Sequence, residues 1–178
     1  MQTLIKREVC KLYIESHIKA NIINMKKLYT GGTFDIFHYG HTNFLRQCSL
    51  ISGQVIVSLN TDEFVAEYKG QPPILNYDER KKSLLSCKYV DKVIENVGGT
   101  DSKPSILQIN PDIIAIGDDW AGGRYYKQMN FTQDWLDDNS IVLVYLAYTK
   151  GISTSDIKNR IKTLNENSTT SNGITEKL

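Results

Sequence analysis

The chain has little of what stabilises small secreted domains or crosses membranes. Cys10, Cys48 and Cys87 are its only cysteines. They are odd in number, widely spaced and outside any CxxC or Cys/His ligand pattern, which argues against a disulfide framework or a structural zinc site and predicts reduced thiols in a cytoplasm. No apolar run approaches the roughly 20 residues of a membrane span, and the first residues, with their Lys and Glu, lack a signal-peptide core. Charge of one sign is also missing. A formal net charge of +1 over 178 residues gives no basic footprint for nucleic acid. No internal repeat is present, and the length suits one domain with a core of its own.

What the chain does have is an alternation of apolar runs with helix-period segments. Residues Lys27 to Thr30, Gln54 to Leu59, Lys92 to Ile94, Asp112 to Ile116 and Ile141 to Leu146 read as strands. They are mostly continuous rather than alternating in polarity, as expected where both faces of a sheet are covered. His41 to Ile51, Asp62 to Tyr68, Asp78 to Lys88 and Ser102 to Gln108 read as helices, with Asp78 as an N-cap and Pro111 as a stop. The order β-α-β-α-α-β-α-β-β predicts an α/β fold, an open parallel sheet with helices on both faces and right-handed crossovers. Ligands in such folds bind beyond the carboxyl ends of the strands.

The ends differ from this pattern. Residues 1–24 read as an N-terminal extension, with Ile5, Val9, Leu12 and Ile18 able to line one helical face. His17 falls there and is read as a residue without a catalytic part. The Asn-, Ser- and Thr-rich stretch after Leu164 has too little apolar area to order itself, so residues 165–178 are expected to form a flexible tail behind a domain at 25–164.

The segment Gly31-Gly32-Thr33-Phe34-Asp35-Ile36-Phe37-His38-Tyr39-Gly40-His41 is the most informative one. It follows the first strand and holds two of the three histidines three residues apart. That spacing is just under one helical turn and turns both imidazoles the same way. A helix starting near Gly40 would aim its first N–H groups and positive dipole end into the space the rings line, a setting for phosphate. Histidine supplies N–H donors there and, at pH 7, can carry charge toward an anion.

This string resembles the G-T-F-D-x-x-H-x-G-H element of the cytidylyltransferases in the HxGH nucleotidyltransferase superfamily. Lys150-Gly151-Ile152-Ser153-Thr154-Ser155 is similar to the family's R-T-x-G-I-S-T-[ST] segment. Between the two lie Tyr77-Asp78-Glu79-Arg80, Lys88-Tyr89-Val90-Asp91-Lys92-Val93 and Gly117-Asp118-Asp119-Trp120, which resemble linking segments of the glycerol-3-phosphate cytidylyltransferases. The resemblance covers roughly Met25 to Ile161 and implies a Rossmann-like single domain.

It also implies roles. His38 and His41 correspond to the family's two catalytic histidines, and Lys69 lies on the segment that brings a lysine to the phosphates. Gly31, Gly32, Thr33, Phe34 and Gly40 would let backbone and a hydroxyl approach the nucleotide. Asp35 is either a nucleotide- or metal-organising carboxylate or the residue that holds this loop by bonding backbone. Asp118 would read the nucleotide and Trp120 would pack on the acceptor. Arg80 would clamp the acceptor phosphate, and Ser153 with Thr154 would present hydroxyls and a helix N-terminus to the triphosphate.

The implied reaction joins CTP to a small phosphorylated alcohol, glycerol 3-phosphate first among them, and releases pyrophosphate, with Mg²⁺ on the triphosphate. Phosphocholine, phosphoethanolamine or a capsule precursor are the alternative acceptors, and a nucleotide-binding protein without turnover is the alternative from another class. The implied setting is cytoplasmic, in cell-envelope or capsule polysaccharide synthesis, as a homodimer packed through the Lys88–Val93 segment. Two positions depart from the pattern: Tyr148 stands where the family has the arginine of R-T-x-G-I-S-T, and Lys88 stands for the arginine of R-Y-V-D-E-V.

Overall fold

The computed structural model describes residues 15, 16, 18–23 and 25–172, with side-chain burial given through residue 166. Cys10, His17 and most of the 1–24 extension therefore lie outside the described residues.

Five strands form one sheet: β1 Lys27–Gly32, β2 Gln54–Leu59, β3 Lys92–Glu95, β4 Ile113–Gly117 and β5 Val142–Leu146. All pairings are parallel and the spatial order is β3-β2-β1-β4-β5. Each strand lies within two residues of its expected place. Successive residues supply opposite faces, as the two-residue period requires. Leu28, Val55, Val57 and Ala115 join Leu45, Cys48 and Leu84 in one core. Tyr29, Ile56, Ile114 and Ile116 join Ile106, Tyr125, Phe131 and Leu136 in the other. A sheet covered on both faces has no use for polar alternation, which is why these strands read as continuous apolar runs. Cys48 and Cys87 are free and buried in the first core, and burial raises the Cys48 thiol above its usual range.

The first core is covered by α1 Tyr39–Ile51 and α3 Tyr77–Leu85, and the second by α4 Lys103–Ile109, α5 Arg124–Met129 and α6 Gln133–Asp138. The shorter α2 Asp62–Lys69 follows β2, capped by Thr61, and α7 Thr154–Asn172 closes the fold. Three local corrections to the sequence reading have local causes. α3 begins at Tyr77 because Asn76, not Asp78, is its cap: the Asn76 side chain accepts from Glu79 N while Glu79 accepts from Asn76 N. A 3₁₀ turn at Asp118–Trp120 and the six-residue helices α5 and α6 were absent from the expected order, being too short to establish a 3.6-residue period. α7 runs through Asn172, past the Asn165 boundary where composition set the tail.

The sheet order reverses between β1 and β4, and these two strands pair at only Leu28↔Ile113 and Tyr29↔Ile114. β1 and β2 stay in register over six pairs. The carboxyl ends of β1 and β4 therefore part, opening a crevice at the topological switch point, where open α/β sheets take their ligands.

The described residues up to Met25 are helical, and Ile18, Ile22 and Met25 are exposed. A chain begun at Met25 should keep its midpoint of thermal unfolding to within the few degrees that correspond to about 1 kcal/mol. A larger fall by calorimetry would make the extension part of the fold.

Candidate active site

β1 leaves the sheet at Gly32, and the chain must turn into α1 within six residues. It does so through two left-handed residues, Phe34 at φ 49° and Ile36 at φ 47°. Side chains rarely adopt that region, and a β-branched residue there carries strain. Asp35 between them holds the turn. Its carboxylate accepts from Ile74 N and Leu75 N, both at 3.0 Å, and pairs with Lys158 Nζ at 2.8 Å. Burial alone would raise this carboxyl's pKa, but these bonds outweigh it and hold the value below the usual range. Of the two parts the sequence left open for Asp35, the geometry is that of the loop organiser. Its carboxylate is spent on protein groups.

Arg80 braces the same loop from inside. It is fully buried and donates to Thr33 O at 2.6 Å, Leu75 O at 3.0 Å and Asn60 O at 2.8 Å, with a 2.6 Å ion pair to Asp62. It lines neither cavity described below, so the expected clamp on an acceptor phosphate is corrected to an internal clamp on three carbonyls. A motif match places the residue in the chain but does not say which way the side chain faces.

His38 and His41 cap α1 reciprocally. His38 Nδ1 accepts from Gly40 N at 3.1 Å, and His41 Nδ1 accepts from His38 N at 3.4 Å. The rings stack with centroids 3.8 Å apart and planes 21° off parallel. A nitrogen that accepts has no proton, so each neutral ring carries its hydrogen on Nε2; this tautomer is assigned from the network. His38 Nε2 approaches Thr154 Oγ1 to 3.5 Å, and that hydroxyl donates onward to Asp35 O at 2.9 Å. Burial lowers the pKa of His38, while burial and then the neighbouring His38 lower that of His41 to about 3. With their pKa values lowered, both rings are neutral at pH 7 and act as donors through Nε2. Gly40 is required here, because a Cβ would come within 2.9 Å of His38 Cε1 and 3.3 Å of Ile152 Cγ2.

α7 opens on the same space. Ser153 caps it, accepting from Asp156 N at 3.0 Å and donating to Asp156 Oδ2 at 2.7 Å, so its hydroxyl is engaged in the cap. Thr154, Ser155 and Lys158 line a cavity of about 800 Å³ together with Gly31, Gly32, Thr33, Phe34, Asp35 and His41. Thr33 shares a 2.9 Å hydrogen bond with Tyr68, and Lys69 reaches the cavity wall with its ammonium 5.3 Å from the Tyr68 ring. A smaller adjoining cavity of about 320 Å³ is lined by His38, Gly40, Asp119, Tyr148 and Ile152. Trp120 lines both and also packs against the second core.

Asp118, expected to read the nucleotide, lines neither cavity; its carboxylate accepts from Tyr148 N at 2.9 Å. The 3₁₀ turn sends Asp119 to the smaller cavity instead. Lys158 was missed altogether, although one helical turn separates it from Thr154 and an i, i+4 step would have found it. Among the described residues there is no cluster of three His, Cys, Asp or Glu fit to hold a metal, and Asp35 is occupied.

Removing the Arg80 guanidinium by Arg80→Met leaves three carbonyls and Asp62 without their donor. Such a loss should cost about 3–5 kcal/mol, read by denaturant unfolding. The histidines give a pH test. His41 has a folded pKa below its unfolded value of about 6.5, so its contribution is present above pH 6.5 and is lost as pH falls toward about 3. The unfolding free energy of the wild type should fall more steeply with pH over that window than that of His41→Asn. Parallel curves would contradict the neutral assignment.

The sequence profile of the cytidylyltransferase-like family matches residues 29–160. The glycerol-3-phosphate cytidylyltransferase of Bacillus subtilis (strain 168) is 36% identical over 137 residues, 77% of this chain and 98% of that protein. The FAD synthase of Pyrococcus horikoshii is 38% identical over 135 residues, 76% of this chain and 91% of that one. Among solved structures, the lipopolysaccharide core biosynthesis protein of Thermoplasma volcanium GSS1 superposes with a TM-score of 0.58 at 24% identity, over 72% of this chain and 99% of the other, and shares the fold. With its sheet order, its paired histidines at the switch point and this profile match, the chain belongs to the cytidylyltransferase-like family.

Proposed function

We propose that the protein is a cytidylyltransferase that joins CTP to a small phosphorylated alcohol, with glycerol 3-phosphate the first acceptor to try. One observation carries the reading. Two stacked imidazoles, each with Nδ1 engaged in the helix cap, and the N-terminus of α7 lie around adjoining cavities at the point where the sheet order reverses. The similarity to glycerol-3-phosphate cytidylyltransferase over nearly that enzyme's whole length supports the choice of substrates.

In such a reaction an acceptor phosphate oxygen attacks the α-phosphorus in line, the bond to the β-phosphate oxygen breaks, and pyrophosphate leaves. No protein nucleophile is required. Charge builds on the nonbridging and leaving oxygens, so the protein's part is placement and preorganised donors. His38 and His41 would donate from Nε2, and the ammonium groups of Lys69 and Lys158 would balance phosphate charge. Neutral imidazoles suit this part, since they need shed no proton to admit the nucleotide and can gain charge as the phosphates approach. Homodimer formation through the Lys88–Val93 segment and a place in cell-envelope polysaccharide synthesis belong to the same reading.

Pyrophosphate release measured across four nucleoside triphosphates and a panel of phosphate esters tests it. Turnover with CTP and an alcohol phosphate supports the proposal, whereas turnover confined to ATP would move the protein toward the chemistry suggested by the FAD synthase likeness. His38→Asn retains a good N-cap residue, so its unfolding midpoint should hold while kcat falls about 100-fold or more. Near wild-type kcat would remove His38 from the chemistry. Tyr148 lines the smaller cavity and is half exposed, so Tyr148→Arg should tighten CTP binding by adding a guanidinium. Unchanged affinity by calorimetry would show that the position does not reach the triphosphate.

A further inference from the structure

The larger cavity has a second group of lining residues that the nucleotide chemistry does not use: Tyr29, Asn60, Ser102, Tyr125 and Met129. Tyr125 sits on α5, behind the left-handed pair Gly122 and Gly123. It is 1% exposed, and its hydroxyl has no hydrogen-bond partner among the described residues. Leaving a buried hydroxyl unpaired costs about 1–3 kcal/mol, and in native proteins such a group points to something that completes it. Burial raises its pKa well above the usual phenol range, so the group is an O–H donor. Tyr29 lies close enough that ionising one phenol opposes ionising the other.

The neighbouring polar groups are also incompletely used. Asn60 gives its amide oxygen to Asn96 Nδ2 at 2.9 Å, and its own amide N–H groups have no acceptor among the described residues. Ser102 is 3% exposed, donates to Met129 Sδ at 2.8 Å, a weak acceptor, and also hydrogen-bonds with the Tyr29 phenol. Charge is scarce. Among the residues lining the cavity the only carboxylate is Asp35, already engaged with Lys158, Ile74 and Leu75. An ammonium headgroup would find aromatic walls here but no free anion, while hydroxyls would find donors and acceptors in need of partners.

We propose that Tyr125, Asn60 and Ser102 form an uncharged subsite that binds the hydroxyl-bearing end of the acceptor, selecting phosphorylated polyols over phosphorylated amines and plain alkyl phosphates. Tyr125 is its specificity-determining residue. The inference rests on the function proposed above and adds which chemistry of acceptor the cavity admits.

Tyr125→Phe deletes only the hydroxyl and keeps the packing against Trp120 and Phe131, so the protein should fold with an equal or higher unfolding midpoint. With wild-type protein, kcat/KM should be highest for glycerol 3-phosphate and lower for n-propyl phosphate and phosphoethanolamine. In Tyr125→Phe the advantage of glycerol 3-phosphate over n-propyl phosphate should shrink about tenfold, the loss expected for one good hydrogen bond. KM for CTP should not change. Calorimetric binding of glycerol 3-phosphate, measured on both proteins, should weaken by the same factor and does not depend on turnover. Absent turnover with this weakening would sink the proposed reaction and keep the subsite. An unchanged acceptor ratio and unchanged affinity, or a wild-type preference for phosphoethanolamine, would overturn the subsite.

Discussion

Asp35 is the point on which the site depends. A strand that ends in Gly31-Gly32 and a helix that starts at Tyr39 leave six residues to reverse direction, and the turn passes through two left-handed side-chain-bearing residues. Such a turn persists only if its surroundings over-determine it. The carboxylate of Asp35 ties it to Ile74, Leu75 and α7, Arg80 ties it to Leu75 and Asn60, and Thr154 bonds the Asp35 carbonyl. Three segments far apart in the chain are thereby fixed to one short loop.

The imidazoles inherit that rigidity. Because His38 and His41 cap α1 with Nδ1, their orientation and their tautomer are set by the backbone rather than by a ligand. Burial and mutual proximity keep them neutral. A site built this way has its donors in place before substrate arrives, the condition under which hydrogen bonds to developing charge contribute most. The division of the cavities follows the same logic. Lys69 and Lys158 bring the ammonium charge, and the far lining is uncharged.

Much of this was legible in the residues. Continuous apolar runs marked all five strands because a sheet covered on both faces leaves no polar face to report, and the H-x-x-H spacing located the histidine pair. The failures have a common cause. Arg80 was placed correctly along the chain but assigned the wrong surroundings, since nothing in a linear motif distinguishes an arginine that faces a cavity from one whose donors are consumed by Thr33, Leu75 and Asn60. The resting charge of the histidines could not be read from the sequence, because desolvation is a property of the packed loop. Lys158 escaped because it lies beyond the motif, although the helical step from Thr154 contained it. α5 and α6 are too short for periodicity to reveal, and with α5 the position of Tyr125 was hidden.

The central claim is that the Gly31–His41 loop presents two neutral imidazoles protonated on Nε2. The chain has three histidines, so long-range proton–nitrogen correlation spectra of ¹⁵N-histidine protein, with His38→Asn and His41→Asn for assignment, resolve each ring. At pH 7 without ligand, His38 and His41 should each show one protonated nitrogen, Nε2, and one unprotonated, Nδ1. Rings protonated on both nitrogens, or protonated on Nδ1, would contradict the account.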